Sequence, residues 1–307
     1  MNSLMAILPI FIIILAGYAL RALHVVKPSW VSALNGFVYY VALPALIIQS
    51  FAAIRLTDSA ISRGLLANLG VVALIAVVLA CVLKLSKLSN KLQATIFLTV
   101  LVGNTVYLGI PVVSASLPDA PLTIVAAIGS VQLVAAMIIS LIAIEWLFLK
   151  SRNNARITMS LIQNPLIISL AIGIILSFVR LPALADSLMA PALKVLAATA
   201  SPLALFTLGA FLHGHTKPKR LGLLLSTGAS KLVITPLIFL YALPFFGVGQ
   251  LTNLHTSIIL AAMPTAVTAF VLAETYKLDQ EFAAGAMVTT TILSLITLPI
   301  IISLLAS

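Results

Sequence analysis

The sequence predicts an all-α integral membrane protein, and three observations lead to that class. The chain of 307 residues is 62% hydrophobic and 8% charged, which leaves more apolar surface than a water-soluble domain of this length can bury. Its apolar residues form stretches about as long as the ~20 residues that cross a bilayer as a helix. Its basic residues fall mainly in alternate connections between those stretches.

Ten spans are predicted, with short connections and no stretch that resembles a soluble domain. The N-terminal stretch has no Lys or Arg before Arg21 and is longer than a typical signal-peptide core, so we assign it as the first span. In chain order the predicted spans are 4–23, 29–53, 64–83, 92–116, 121–149, 158–179, 187–212, 220–246, 254–275 and 281–305.

The distribution of Lys and Arg predicts the orientation. Twelve of the seventeen lie in odd-numbered connections and three in even-numbered ones, while Lys194 and Lys231 lie inside spans. Because basic connections stay on the cytoplasmic side during insertion, we predict a protein of the cell (inner) membrane with both termini extracellular or periplasmic. The net charge of +10 then reflects topology, and no nucleic-acid partner is predicted.

Five markers of the first half recur at similar spacing in the second half. An odd number of spans in each half makes the second half cross the membrane in the opposite sense, which is the inverted repeat of many secondary transporters. We predict a first repeat at 1–149, a short basic linker at 150–157 and a second repeat at 158–307. The marker pairs are Pro9 and Pro165, Gly17 and Gly173, Pro44 and Pro202, Arg63 and Arg220, and Pro111 and Pro264.

The fourth predicted span contains residues that weaken a helix, namely Gly103, Gly109 and Pro111. Proline donates no N–H and crowds the carbonyl four residues earlier. Broken backbone at membrane depth is tolerated only where it is buried in protein or lines a polar cavity, and transporters build substrate sites from such helices. We predict that Gly103, Gly109 and Pro111 break the fourth span, and that Pro264 makes a matching break in the ninth span.

Short polar side chains flank both predicted breaks. Asn104 and Thr105 precede the first break, and Thr265 and Thr268 follow the second. Their amide and hydroxyl groups, with the N–H groups exposed at the positive end of a broken helix, can bind a carboxylate. Alternatively, they form hydrogen bonds that only add packing. We predict that these four residues bind an anionic substrate.

Two further polar residues lie well inside spans. Gln132 in the fifth span either contacts substrate or bonds a neighbouring helix. Lys231 lies roughly 16–20 Å along the eighth span at 1.5 Å per residue, where an ionisable group suggests a function. It either balances the charge of an anion or ties the crossing helices to their surroundings through carbonyl groups. The sequence leaves both roles open.

Several motifs together resemble the auxin efflux carrier family, as a bacterial-type member without the long central loop. GNTVYLGIP at 103–111 is similar to the family's broken helix. The resemblance continues through LNGFVYYVALP in the second span, QNP at 163–165, SPLALFTLGAFL at 201–212, KLVITP at 231–236 and AAMPTAVTAFVLAETYKLD at 261–279.

This resemblance implies a fold and a function. The family has ten helices in two inverted five-helix repeats, and its fourth and ninth helices break at prolines and cross at mid-membrane. Two helices of each repeat form a scaffold and three a transport domain, and dimers form through the scaffold. The family exports organic anions, auxin in plants and small carboxylates in many bacteria, and Gln132 matches a position near the substrate.

We therefore predict a secondary active or membrane-potential-driven exporter of small organic anions that works by alternating access. Sodium- or proton-coupled symport, as in the distantly similar bile-acid symporters, and an anion channel are the alternatives. No catalytic set of side chains occurs, so no enzyme activity or cofactor is predicted. His213 and His215, without cysteines or clustered carboxylates, make a poor metal set. The predicted partners are the anion, the bilayer and a second copy of the chain.

Overall fold

The computed structural model describes residues 3–150, 154–179, 189–213, 220–248 and 251–306. Within these ranges the regular structure is helical, apart from one isolated β-bridge. In chain order the α-helices are α1 (Ser3–Ala22), α2 (Pro28–Phe37), α3 (Leu43–Ala53), α4 (Ser59–Leu85), α5 (Asn90–Leu101), α6 (Gly109–Ser116), α7 (Leu122–Ala143), α8 (Asn154–Ile162), α9 (Pro165–Val179), α10 (Met189–Leu212), α11 (Leu221–Ala229), α12 (Thr235–Ala242), α13 (Leu251–Ala261), α14 (Val267–Thr275) and α15 (Gln280–Ala306).

Parts of four predicted connections and the start of the seventh span fall outside the described residues, at 151–153, 180–188, 214–219 and 249–250. They include Arg152 of the linker, Arg180 after the sixth span, and His215, Lys217 and Lys219 before the eighth span.

Six described helical segments are long and apolar enough to cross a membrane. They are Pro28–Ala53, Ser59–Leu85, Leu122–Phe148, Ala190–Leu212, Leu221–Phe246 and Gln280–Leu305. Shorter apolar helices occur at Leu8–Ala22, Pro165–Val179 and Leu251–Ala261. Every one of these segments coincides with a span predicted from the sequence, so the class of all-helical membrane protein is confirmed.

In two of the long segments, a turn of π-helix precedes a proline. Val38–Ala42 joins α2 to α3 just before Pro44, and Ser230–Ile234 joins α11 to α12 just before Pro236. A proline in an α-helix clashes with the carbonyl four residues earlier, and the wider π turn lets the chain continue without a break. π-helical turns are often found at functional sites, and the second one contains Lys231.

Contacts between connections agree with alternate crossings. Arg220, just before the eighth span, forms an ion pair with Asp279 after the ninth (3.0 Å), and the Asp279 N–H donates to Thr95 Oγ1 at the start of the fourth (3.1 Å). At the other end, Ser177 Oγ near the end of the sixth span donates to the Ile54 carbonyl after the second (3.1 Å). Odd-numbered connections thus meet one another, as do even-numbered ones.

The helices form two packed groups, which we call helix group 1 (α1–α3 and α8–α10) and helix group 2 (α4–α7 and α11–α15). In group 1, α1 packs along α10 and α3 along α9. Gly17 faces the Phe206 carbonyl so closely that a Cβ would collide with the backbone, and a Cβ on Gly173 would be 2.7 Å from Phe51 Cβ. The groups meet where α3 packs on α7 and α1 on α6.

One predicted span is divided in the structure. The single helix expected over 158–179 is two helices, because α8 ends at Ile162 and α9 begins at Pro165. A proline disfavours helical backbone at the residue before it, which here is Asn164. Its Oδ1 accepts a hydrogen bond from the Leu166 N–H at 2.9 Å and so caps α9.

Candidate functional site

The fourth and ninth spans are interrupted, and the two interruptions touch. Residues 102–108, between α5 and α6, form the first gap, and residues 262–266, between α13 and α14, form the second gap. An antiparallel β-bridge joins Gly103 to Thr265. The two spans that carry the predicted breaks therefore meet at their gaps.

The first gap lies earlier in the chain than we predicted. Pro111 is in the first turn of α6, where the missing proline N–H is not needed by the helix. Asn104 and Thr105 therefore lie inside the gap, not before it. In the second gap Pro264 and Thr265 are both unhelical, and Thr268 falls in the first turn of α14.

The gaps satisfy part of each other's backbone. The Asn104 N–H donates to the Pro264 carbonyl at 2.7 Å, and the Ala266 N–H donates to the Val102 carbonyl at 3.0 Å. Unpaired backbone groups are very costly at membrane depth. This pairing therefore makes the two interruptions depend on one another.

Side chains bond the carbonyls left free before each gap. In a continuous helix the Thr265 N–H would bond the Ala261 carbonyl, but it donates instead to Thr290 Oγ1 (3.1 Å). The Ala261 carbonyl accepts a hydrogen bond from Lys231 Nζ at 3.1 Å. Before the first gap, the Thr99 carbonyl accepts from Thr265 Oγ1 at 2.7 Å. A lysine and a threonine thus take over bonds that the helices lost.

Lys231 lies between both gaps. It is 2% exposed, and a Cβ built on Gly103 would lie 2.6 Å from Lys231 Nζ. A methyl group at that position of the first gap would force the lysine to shift, while its ammonium bonds the carbonyl before the second gap. Of the two roles left open by the sequence, the contact with a carbonyl is the one seen in this structure.

Thr105 and Gln132 bond neighbouring helices. Thr105 Oγ1 donates to the Gly129 carbonyl of α7 at 2.8 Å. Gln132 Nε2 donates to Asn68 Oδ1 at 2.8 Å and to the Ser257 carbonyl at 3.1 Å, which links α4, α7 and α13. A cavity of about 20 Å³ beside Thr105, Gln132 and Lys231 is large enough for a single water.

Two polar groups near the gaps are buried without a hydrogen-bond partner among the described residues. They are Asn104 Nδ2 and Thr268 Oγ1, in residues that are 2% and 7% exposed. A buried donor left unpaired costs about 1–3 kcal/mol, so each such group in a native protein calls for an explanation. A ligand or water that bonds these two groups would remove that cost.

A cavity of about 720 Å³ lies between helix groups 1 and 2. Group 1 contributes a wall rich in polar side chains, and group 2 contributes Tyr107 of the first gap, two residues of α7 and one face of α14. The polar and aromatic lining includes Arg21, Ser32, Asn35, Tyr39, Tyr40, Tyr107, Ser160, Gln163, Asn164, Phe211, Thr268, Phe270, Thr275 and Tyr276.

The cavity runs from one end of the protein to the gaps. Arg21, Pro28 and Tyr276 lie in or beside odd-numbered connections, whereas Tyr107 and Thr268 lie at the gaps. No acidic residue is among the described residues that line it, and Arg21 is its charged member. The cavity is thus neutral or positive along its length.

The structure places one predicted binding residue in the larger cavity, and that residue is Thr268. The other predicted residues do not line it and are buried in the gaps and the polar contacts around them: Asn104, Thr105, Gln132, Lys231 and Thr265.

Sequence reasoning missed most of the cavity lining. Asn164 belongs to the QNP motif and Tyr107 to GNTVYLGIP, so both stood in motifs that were noticed without being assigned a role. Tyr39 belongs to LNGFVYYVALP and was likewise given no role.

Comparisons with known proteins indicate a membrane transporter. The chain matches a family described as "Membrane transport protein" over residues 2–302. A curated relative from Rhizobium meliloti (strain 1021), described as "Putative malonate transporter", is 24% identical over an alignment of 310 positions that covers 98% of this chain and 95% of the relative.

Proposed function

Because this chain belongs to the membrane transport protein family, which includes the auxin efflux carriers, we propose that it carries small organic anions across the membrane by alternating access. The predicted family and the prediction of a transporter, not an enzyme, are confirmed by the family match and the similar protein. The anionic substrate, the direction and the mechanism are our proposal.

The observation that carries the proposal is the cavity between the helix groups. It leads from the odd-numbered connections to the gaps and reaches Thr268, whose buried hydroxyl has no partner. Ligand sites of transporters are commonly formed at such interrupted helices. We infer that the substrate binds at the inner end of this cavity.

The chemistry at that end favours a carboxylate. Thr268 lies in the first turn of α14, where helix N–H groups carry a partial positive charge. Asn104 Nδ2, in the first gap, is a second buried donor without a partner among the described residues, although it does not line the cavity. The absence of acidic side chains from the described lining leaves nothing there to repel an anion.

The size and lining of the cavity guide the choice of substrates to test. Malonate is suggested by the relative's description, but a dicarboxylate of that size fills only a small part of about 720 Å³. Tyr39, Tyr40, Tyr107 and Tyr276 offer surface for a larger apolar or aromatic body. Both small dicarboxylates and aromatic monocarboxylates therefore belong in the first screen.

The packing of helix group 1 agrees with two inverted repeats. Gly17 of α1 packs against α10, and its repeat partner Gly173 in α9 packs against α3. This exchange of partners is what two inverted repeats would produce. We propose that group 1 is the scaffold, and that group 2 moves along it and turns the cavity from the cytoplasm to the outside.

The driving force in this proposal is the membrane potential. With the odd-numbered connections in the cytoplasm, an anion enters the cavity there and is exported. Each charge gains about 2.3 kcal/mol per 100 mV when it leaves a negative interior. No carboxylate lines either described cavity, so we expect transport without sodium.

The test is flux in proteoliposomes with an imposed potential, measured for malonate and for an aromatic monocarboxylate, with and without sodium. Thr268→Val should raise KM about tenfold or more, because a hydrogen bond to a charged group contributes about 1.5–3 kcal/mol. Its melting temperature should stay the same or rise, because the substitution removes a buried hydroxyl that bonds nothing.

Thr297→Val is the matched control. Thr297 Oγ1 is also buried and unpartnered but lines neither described cavity, so its KM should equal that of the wild type. No saturable anion flux in folded wild-type protein would contradict the proposed function. Flux only with sodium would favour a symporter, and fast flux without saturation a channel.

A further inference from the structure

Arg21 lies at the mouth of the cavity, beside the odd-numbered connections. It is far along the chain from the residues at the gaps. It is the basic residue in the last turn of α1, and its side chain is partly buried. Together with Pro28, Val31 and Ser32 at the start of α2, it lines the cavity on the side of group 1. Its contribution to topology explains a positive charge there, but not its place in the lining.

The guanidinium group is held in position by the turn between α1 and α2. Arg21 Nη1 donates to the Val26 carbonyl at 2.9 Å. Val26 is 2% exposed and packs against Val31 and Ala210. The turn itself is closed by a hydrogen bond from the Val25 N–H to the Leu20 carbonyl at 3.0 Å. One donor of the guanidinium therefore fixes its position by bonding the backbone.

The other donors of Arg21 make no hydrogen bond to the residues that the structure describes and can bind a ligand. A guanidinium has five N–H donors in a rigid fork that matches a carboxylate. The described residues that line the cavity include no Asp or Glu that could pair with it. A cation at the mouth of a cleft with low-dielectric walls concentrates anions there.

We propose that Arg21 is a capture site for the carboxylate of the substrate at the mouth of the cavity, distinct from the inner site at Thr268. This inference rests on the proposed function and adds to it a first binding step on one side of the membrane. The anion binds the guanidinium fork, then passes along the tyrosine-lined wall to the gaps.

A capture site on one side has an asymmetric signature. Arg21 can act only on substrate that arrives from the compartment of the odd-numbered connections. Loss of the fork should therefore raise KM from that side and leave KM from the opposite side unchanged. A residue that only set topology or stability would not separate the two sides in this way.

The experiment measures anion uptake into vesicles of both orientations, at low and at high salt, for Arg21→Gln, Arg21→Lys and the control Lys27→Gln. Lys27 is in the same turn and is exposed but does not line the cavity. We expect a KM on the order of tenfold higher for Arg21→Gln from its own side, a smaller rise for Arg21→Lys, and no change for Lys27→Gln.

Salt gives a second readout, because added ions screen an exposed charge. The difference between wild type and Arg21→Gln should shrink at high salt. A wild-type KM for Arg21→Gln at low salt, or an equal rise for Lys27→Gln, overturns the inference. Should Arg21→Gln not fold, Arg21→Lys keeps the charge, and an unchanged KM for that variant overturns the use of the fork. Absence of anion flux in the wild type would contradict the proposed function instead.

Discussion

The two gaps solve the same problem with different donors. Before the first gap, the Thr99 carbonyl is bonded by a neutral hydroxyl, that of Thr265. Before the second gap, the Ala261 carbonyl is bonded by the ammonium of Lys231. The first gap depends on a residue of the second gap, whereas the second depends on a lysine from a different span, held in a π turn.

The gaps are alike in how they divide their polar side chains. Each has one threonine that bonds the backbone of another helix: Thr105 bonds Gly129 of α7, and Thr265 bonds Thr99 of α5. Each also has one group without a partner, Asn104 Nδ2 in the first gap and Thr268 Oγ1 just after the second. At each gap, therefore, the bonded threonine holds the backbone in place, and the side chain without a partner is available to the substrate.

The largest effect should come from removing the ammonium that only the second gap uses. Lys231→Met leaves the Ala261 carbonyl unpaired in a buried site, at a cost of about 1–3 kcal/mol. We expect the melting temperature to fall by several degrees and transport to be lost. Lys194→Met, at an exposed lysine of α10, is the control and should behave as wild type. A Lys231→Met protein with normal stability and flux would show that the second gap holds without the lysine.

The next effect concerns the glycine that faces this ammonium. Gly103→Ala puts a methyl 2.6 Å from Lys231 Nζ, so the bond to Ala261 must lengthen or break. Gly109→Ala instead meets the Leu260 and Met263 side chains, at 2.7 Å and 3.1 Å, which can repack. Thermal denaturation should therefore rank Gly103→Ala below Gly109→Ala.

A double mutant sharpens that comparison. Gly103→Ala should cost less in the Lys231→Met background, because side chains in contact give non-additive changes in stability. Additive losses in melting temperature would mean that the alanine acts on the bridge backbone and not on the lysine.

The smallest effect is expected for Thr105, whose acceptor is a carbonyl inside α7. Thr105→Val should lower the free energy of unfolding by about 1 kcal/mol, the net contribution of an ordinary hydrogen bond. Thr265→Val should cost about 1–3 kcal/mol, because it leaves the buried Thr99 carbonyl without its bond. Because neither residue lines the larger cavity, KM should not change. A raised KM with unchanged stability, measured by flux and thermal denaturation, would instead support the substrate contacts predicted from the sequence.

Much of the fold could be predicted from composition and spacing. Apolar length gave the spans because a bilayer demands ~20 apolar residues per helix. The glycines and prolines located both interrupted spans, although Pro111 misplaced the first gap, since a proline is as well suited to starting a helix as to ending one. Asn164 and Pro165 likewise signalled a helix boundary that length alone concealed.

The sequence by itself determined that this chain is a helical membrane transporter of a known family, because lipid imposes length and hydropathy on every span and the family motifs are local. The tertiary structure decided which polar groups are bonded and which are free. Thr265 and Thr99 are 166 positions apart, and Gln132 and Ser257 are 125 apart. Such pairs arise from packing between spans, and so does the cavity between the helix groups, because its walls come from distant parts of the chain.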